Sequence, residues 1–203
     1  MPEPGDAVLL RDGESAPGRP FTDPQRSLAD ILAVAAMRAS LGRRSRLPAP
    51  AGRWGDSGDR HWLVAPEPWL LADEAPVHAI GFFGQARGHV DHEPIVRLEH
   101  ELLARAASFP GLVAYLNVLF ANGQWGNLVV FATTDGAAHV RGDPTHVEAL
   151  ACTPGHYHSV RLHRLRLPDG PAGTAPLEHL STLLLDFDVS PPWRAVRPGG
   201  AAV

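Results

Sequence analysis

The fold is best inferred from residues 112–167, which read LVAYLNVLFANGQWGNLVVFATTDGAAHVRGDPTHVEALACTPGHYHSVRLHRLRL. Two runs rich in β-branched and aromatic residues, Leu112–Phe120 and Trp125–Thr133, flank the dipeptide Asn122-Gly123. Asn and Gly both tolerate a positive φ, so this dipeptide between two such runs predicts a β-hairpin. An interrupted helical segment follows, and Ser159–Leu167 has the composition of a third strand.

The residues before this stretch add a strand and a helix. Val77–Phe83 reads as a strand, and Ile95 and Leu98 belong to a helical repeat that follows a capping Asp91. The order over residues 77–167 is therefore strand, helix, strand, strand, helix, strand. That order predicts an α+β protein with the ferredoxin-like βαββαβ fold, in which helices cover one face of a four-stranded antiparallel sheet.

The strands of this predicted sheet are apolar on both faces. Along Leu112–Leu119, apolar residues occupy both the positions that point to one face and those that point to the other. Helices on one side of the sheet would cover only one of these faces. We expect the sheet of a second copy of the chain to cover the other, which gives a homodimeric α/β barrel. Ala79 and Gly81 leave space on one face of the first strand, which predicts either a ligand or a closely packed helix there.

The remaining residues are expected to form two extensions. Residues 1–76 are an N-terminal extension with a mobile start, a helix from about residue 24 to residue 42 and a wrapping segment. Asp23-Pro24 is a good helix start, with Asp as the N-cap. Residues 77–168 form the ferredoxin-like domain, and residues 169–203 form a C-terminal extension with a short helix or strand around Leu177–Phe187.

Composition limits the possible functions. A net charge of −4 gives no reason to expect a nucleic-acid partner, and no apolar run approaches the roughly 20 residues of a membrane helix. The single cysteine, Cys152, predicts a reducing compartment. The first residues lack the basic start and apolar run of a secretory signal, so we expect a cytoplasmic protein. All 18 basic residues are arginines, which excludes lysine chemistry and suggests a high-GC bacterium. No phosphate loop or dinucleotide fingerprint is present.

Three segments carry a resemblance to a known family. The strand Trp125–Phe131, the interrupted helix with His146 and the strand that begins at His156 resemble the dimeric α/β barrel superfamily, and in particular an antibiotic biosynthesis monooxygenase-like domain. The resemblance implies a small-molecule enzyme, since the superfamily includes cofactor-free oxygenases of polyketide aromatics, lactone isomerases and lyases. It also includes haem-dependent dehydratases and dismutases, so haem is an alternative to the absence of a cofactor.

Four residues are candidates for catalysis. Arg161 and His163 share a strand face, so His163 is suited to proton transfer and Arg161 to holding an anionic oxygen. The alternative is a hydrogen-bonded pair at the dimer interface. Tyr115 and Asn117 share a face of another strand, and polar residues in an apolar strand either line a cavity or need partners.

Further residues are candidates for binding. The substrate-binding candidates are His78, Trp125, Asn127, Tyr157 and His158. His146 is the preferred axial ligand if haem is bound, with His139 as the other choice. The sequence therefore favours a homodimeric enzyme that oxygenates, isomerises or cleaves an apolar, aromatic or polyketide-like metabolite in a pocket between sheet and helices. The alternatives are a haem-dependent enzyme and a non-catalytic binding or stress-response homodimer.

Overall fold

The computed structural model describes residues 7–44, 52–55, 61–120 and 124–200. The strands are β1 (Val8–Leu9), β2 (Gly52–Gly55), β3 (His61–Ala65), β4 (Val77–Ala86), β5 (Leu112–Leu119), β6 (Gln124–Phe131), β7 (Tyr157–Leu167), β8 (Glu178–Asp186) and β9 (Trp193–Pro198). The helices are α1 (Pro24–Arg44), α2 (Glu93–Ala104), α3 (Thr134–Gly142) and α4 (Pro144–His156). Within the described ranges, no helix combines the length and the apolar character needed to cross a bilayer.

All nine strands of the described residues form one sheet, in the order β1-β9-β8-β7-β4-β6-β5-β3-β2. The pairings are antiparallel except that between β1 and β9, which is parallel. β4 lies at the centre and pairs with β6 on one side and with β7 on the other.

The four-stranded ferredoxin-like sheet predicted from the sequence is wrong. β8 and β9 extend the sheet beyond β7, and β3 and β2 extend it beyond β5. The expected C-terminal extension thus contains two sheet strands, and β8 is the strand of the two alternatives expected around Leu177–Phe187. The prediction failed because the leucine-rich run in β8 suits a helix as well as a strand, and because β9 follows two prolines that suggest a loop.

Helix α1 covers one face of the sheet. The N–H of Gln25 donates to Asp23 Oδ1 over 2.9 Å, so Asp23 caps the helix as predicted. Gly81 of β4 allows close approach, because a Cβ there would lie 2.9 Å from Cγ2 of Val34. Buried side chains of α1 join the main core, namely Ile31, Val34, Met37 and Leu41. Each fully buried side chain of this kind contributes about 1.5–3 kcal/mol.

Helix α1 therefore covers the sheet face that we expected the sheet of a partner subunit to cover. Of the two occupants expected opposite Ala79 and Gly81, the closely packed helix is the one present. The two apolar faces of the sheet no longer require a dimer.

The other three helices cover the opposite face. α2 packs against α4, and α3 and α4 follow β6 directly. Thr133 caps α3 and Asp143 caps α4 through their side-chain oxygens. A smaller apolar cluster with Phe131 and Ile80 fills the space between these helices and the sheet.

The residues before α1 are attached to the last strands of the sheet. Leu10 and Ala16 are buried in a small core with Leu184 and Ala195. The guanidinium group of Arg197 donates to the carbonyl oxygens of Glu14 and Thr22. Residues 7–22 lack apolar periodicity, yet β8 and β9 provide them with partners.

Candidate functional site

Three polar side chains predicted from the sequence meet on the sheet face that α2 covers. Asn117 of β5 is directly opposite Asn127 of β6 in the strand register, and Tyr115 lies one pair along on the same face. Strand alternation brings this about, because residues two apart point to the same side. Asn127 also hydrogen-bonds to the phenol oxygen of Tyr115.

The partner of these side chains is Glu99 of α2. Its Oε1 accepts hydrogen bonds from the hydroxyl of Tyr115 and from Nδ2 of Asn117, the latter over 2.9 Å. Asn117 is only 2% exposed, whereas Glu99 is partly exposed. Among the described residues, no group donates to Oε2. Within the part of the chain that the structure describes, the carboxylate is thus held by one oxygen.

The phenol groups at this site stay protonated. Burial raises the pKa of Tyr115 well above its usual value, and the neighbouring Glu99 carboxylate raises it further. Burial and Glu99 also raise the pKa of Tyr157. Both effects disfavour a phenolate next to a carboxylate in a poorly hydrated place. Tyr115 therefore acts as a hydrogen-bond donor.

Tyr157 forms the aromatic side of the site with Phe82. The two rings meet edge to face with centroids 5.5 Å apart. Gly84 of β4 makes room for Tyr157, since a Cβ at that position would lie 2.5 Å from Cδ1 of the ring. The site is therefore a carboxylate and two amides bordered by apolar and aromatic side chains. That combination is typical of small-molecule sites.

Arg161 and His163 lie on the other face of the sheet, under α1. His163 is fully buried, and its Nε2 lies 3.0 Å from Asp30 Oδ2 while its Nδ1 lies 2.9 Å from Thr182 Oγ1. Arg161 donates to both oxygens of Asp30, over 2.5 and 3.1 Å. These contacts favour the alternative of a hydrogen-bonded pair, although its partner is α1 rather than a second subunit. Their predicted catalytic role stays a prediction.

Asp30 is the centre of this second cluster. Burial raises the pKa of Asp30, but the hydrogen bonds from His163 and Arg161 outweigh burial and leave the pKa below its usual value. Gln124 of β6 also donates to Oδ1 over 3.2 Å. The ionised carboxylate thus joins α1 to two strands of the sheet.

His158 lies apart from the Glu99 cluster, in an open cleft of about 520 Å³. The charged groups around it are largely paired: Asp188 lies 3.0 Å from His158 Nδ1 and 2.8 Å from Arg87, and Arg19 lies 3.1 Å from Asp186. A cleft whose charges are already neutralised offers little to a charged ligand.

Two other substrate-binding candidates lie on the same sheet face as Glu99 but further along the strands. Trp125 pairs with Leu119 and Gly84, one step beyond Asn127. His78 pairs with Phe131, two steps beyond Phe82 in the opposite direction. The structure therefore brings Tyr115, Asn117 and Asn127 together, with Trp125 at one end of the row and His78 at the other.

The two candidate haem ligands lie on different helices. His139 is exposed on α3, and His146 is partly buried on α4 with a buried Nδ1 that has no hydrogen-bond partner within the described ranges. Burial lowers the pKa of His146, which keeps the imidazole neutral and able to ligate. A haem also needs an open slot next to its ligand, and neither histidine lines the cleft of about 520 Å³.

Sequence reasoning missed Glu99 and Asp30. Glu99 lies next to Leu98 at the edge of the apolar stripe of α2, where a charged residue usually faces water. A carboxylate beside that stripe, facing a strand with Tyr115 and Asn117, is the only local signal. Asp30 offers no such signal, because its partners in β7 lie more than 130 residues away.

Comparisons with known proteins add little to this geometry. No family model and no curated protein matches the chain. The chain is similar to a crystal structure of the NE2512 protein of unknown function from Nitrosomonas europaea, with 15% identity and a TM-score of 0.41 over 51% of this chain and 97% of that chain. A likeness this weak carries no argument, so the resemblance to antibiotic biosynthesis monooxygenases stays a prediction.

Proposed function

We propose that the protein is an enzyme that acts on an apolar, aromatic or polyketide-like small molecule, with Glu99 as its general base. One observation carries the proposal. A partly exposed carboxylate has one oxygen fixed by Tyr115 and Asn117, and its other oxygen receives no hydrogen bond from the described residues, on a sheet face bordered by apolar side chains. A positioned carboxylate of this kind is suited to proton transfer.

The first chemical step would be removal of an acidic proton by Glu99 Oε2. The proton would come from a phenolic hydroxyl or from a carbon next to a carbonyl group. Tyr115 and Asn117 would keep the carboxylate in one orientation, and Asn127 would fix Tyr115 in turn. Oxygenation, isomerisation and lyase reactions of such compounds can all begin with removal of this proton. The proposal therefore covers all three reaction types.

The surroundings of Glu99 favour an apolar substrate. Phe82 and Tyr157 present ring surfaces, and Ile80 and Val129 add aliphatic ones. Trp125 lies at the end of this row and would stack on an aromatic ligand. Few polar groups converge on the site, which is the pattern expected where orientation depends on one carboxylate and two amides.

Glu99→Gln tests the proposal, because glutamine keeps the size of the side chain and still accepts a hydrogen bond from Tyr115. The purified chain would be incubated in air with a panel of naphthols, anthrones and hydroxylated quinones, and products would be measured by mass spectrometry. We expect Glu99→Gln to lower turnover by about 10²–10⁴-fold. Glu101→Gln, the same change on the exposed face of α2, is the matched control and should retain full turnover.

A folded Glu99→Gln variant with wild-type turnover would overturn the assignment of the base. If no compound of the panel is converted by the wild-type chain, the non-catalytic alternative, a binding or stress-response protein, gains support. Thermal-shift measurements on the same panel separate these cases, since a binding protein is stabilised by its ligand without turnover.

The proposal retains a homodimer and a cytoplasmic location as expectations. Leu28 and Leu32 are exposed one turn apart on α1, which gives a second copy a small apolar surface to contact. Light scattering at low micromolar concentration tests this expectation directly, and a monomeric mass would remove the homodimer from the proposal. No nucleic-acid partner is expected at a net charge of −4.

A haem-dependent enzyme is the second candidate, because the buried Nδ1 of His146 has no hydrogen-bond partner among the residues that the structure describes. A haem bound there would supply redox or Lewis-acid chemistry, and His146 would hold its iron. An absorbance spectrum of the freshly purified chain tests the idea. A Soret band that His146→Ala abolishes and His139→Ala preserves would support it, and its absence after addition of haemin would end it.

A further inference from the structure

A pair of histidines lies outside the Glu99 and Asp30 clusters. His92 immediately precedes α2, and His156 is the last residue of α4. Their rings are tilted by 42° with centroids 5.3 Å apart, and the two Nδ1 atoms face each other at 3.3 Å. His156 is 7% exposed and His92 is partly exposed, so the pair lies just below the surface.

We propose that His92 and His156 form a two-histidine site for a divalent transition metal ion. Zinc binds imidazole nitrogen at about 2.0–2.1 Å in tetrahedral geometry, which places two nitrogen ligands about 3.3–3.4 Å apart. The Nδ1 atoms already have this separation, and a bound ion would replace the hydrogen bond that joins them.

The backbone of Arg87 orients both histidines. Nε2 of His92 lies 3.0 Å from the carbonyl oxygen of Arg87, and a carbonyl only accepts, so Nε2 carries the proton. In this tautomer, the lone pair of His92 Nδ1 points toward Nδ1 of His156. The N–H of Arg87 donates to the carbonyl oxygen of His156 over 2.9 Å. A hydrogen bond from the other ring nitrogen to a carbonyl is the usual support of a metal-binding histidine.

The packing of the helices holds the pair in place. α2 and α4 pack against each other, and the start of α2 lies next to the end of α4. Tyr157 follows His156 into β7, and its ring centroid lies 6.5 Å from that of His92. Ligands that need no rearrangement lose little conformational entropy on binding.

The site would be open rather than closed. Within the described ranges, no third histidine, cysteine or carboxylate joins the pair to complete a metal site. Water or a small exogenous ligand would fill the remaining positions. Imidazole donors suit zinc, copper and cobalt, whereas calcium and magnesium prefer oxygen. This inference does not depend on the role proposed for Glu99.

Metal titration of the whole chain tests the site. The protein would be stripped with EDTA, dialysed and titrated with zinc chloride by calorimetry, and then loaded with cobalt(II) for visible spectroscopy. We expect one equivalent of zinc at micromolar affinity and the intense visible bands of four-coordinate cobalt. His92→Gln and His156→Gln should each weaken binding by more than the roughly 10–100-fold that loss of an outer hydrogen-bond partner costs.

His89→Gln is the matched control, because His89 is an exposed histidine in the same loop as His92. It should bind zinc like the wild type. Equal affinity in His92→Gln, or equal weakening in His89→Gln, would overturn the proposal. If the variants unfold, the measurements on the wild-type protein still test the proposal. A metal-free wild-type protein that binds no zinc and gives no cobalt bands would overturn it.

Discussion

At the scale of single residues, Asp30 holds together buried polar groups from α1, β6 and β7. Removing its charge would leave Arg161 buried without a counter-ion, and His163 would lose its charged partner. Breaking a buried ion pair from one side costs about 3–5 kcal/mol. We therefore expect Asp30→Asn to lower the free energy of unfolding by this amount at pH 7, as measured with urea.

The same variant makes a pH-dependent prediction. The pKa of Asp30 is lowered in the folded state, so its stabilisation is complete above the unfolded value of about 3.9 and is lost as the pH falls through the folded pKa. The difference between the wild type and Asp30→Asn should shrink below about pH 4. A constant difference from pH 7 to pH 3 would show that folding does not lower the pKa of the Asp30 carboxylate. Glu101→Gln, on an exposed side chain, should show no such effect.

A methyl group added at Gly84 would clash with the aromatic side chains that border the Glu99 site. The added Cβ would lie against the ring of Tyr157 and 3.0 Å from Cε1 of Phe82. We expect Gly84→Ala to destabilise the fold by about 1–3 kcal/mol, because overpacking forces both rings to move. Gly88→Ala is the control, since a Cβ there meets nothing within 4 Å. Thermal unfolding of the two variants should differ clearly, and equal melting temperatures would contradict this packing.

The polar residues of the Glu99 site show how far sequence reasoning reaches. Tyr115, Asn117 and Asn127 could be predicted to meet, because strand alternation and the hairpin fix their positions within a few residues of sequence. Glu99 and Asp30 could not, because each reaches the sheet from a helix whose rotation and crossing angle are set by packing. A local pattern does not record which face of a distant strand a helix will cover.

At the scale of elements, α1 is bound to the sheet chiefly by apolar contacts. Leu41 is fully buried in the main core, whereas Leu32 on the same helix is 53% exposed. We expect Leu41→Ala to cost about 2–5 kcal/mol and Leu32→Ala less than about 0.5 kcal/mol. Chemical denaturation of both variants measures the difference. Similar small losses would mean that α1 is only loosely attached.

The helices were easier to predict than the extent of the sheet. Capping residues and apolar spacing are local, so Asp23 begins α1 as predicted, and Thr133 and Asp143 cap α3 and α4 by the same local rule. The edges of a sheet are not local properties. β8 pairs with β7 through hydrogen bonds across the connection between Leu167 and Glu178, and a local sequence pattern does not specify such pairing.

At the scale of the whole molecule, residues 7–22 secure the edge of the sheet formed by β8 and β9. Leu10 is 3% exposed there, whereas the adjacent Leu9 is 70% exposed. We expect Leu10→Ala to cost about 2 kcal/mol or more and Leu9→Ala to change little. Deletion of residues 1–20 should lower the melting temperature further. An unchanged melting temperature after the deletion would show that this segment is not docked.

The parallel pairing of β1 with β9 also has a consequence during synthesis on the ribosome. β1 emerges before every other described strand, yet its only partner in the sheet is the last one made. Leu10 and Ala16 must therefore stay unburied while the rest of the chain is translated, since their neighbours Leu184 and Ala195 do not yet exist. Closure of this edge can only follow synthesis of β9, so the nascent protein depends on that strand to shield Leu10 and Ala16.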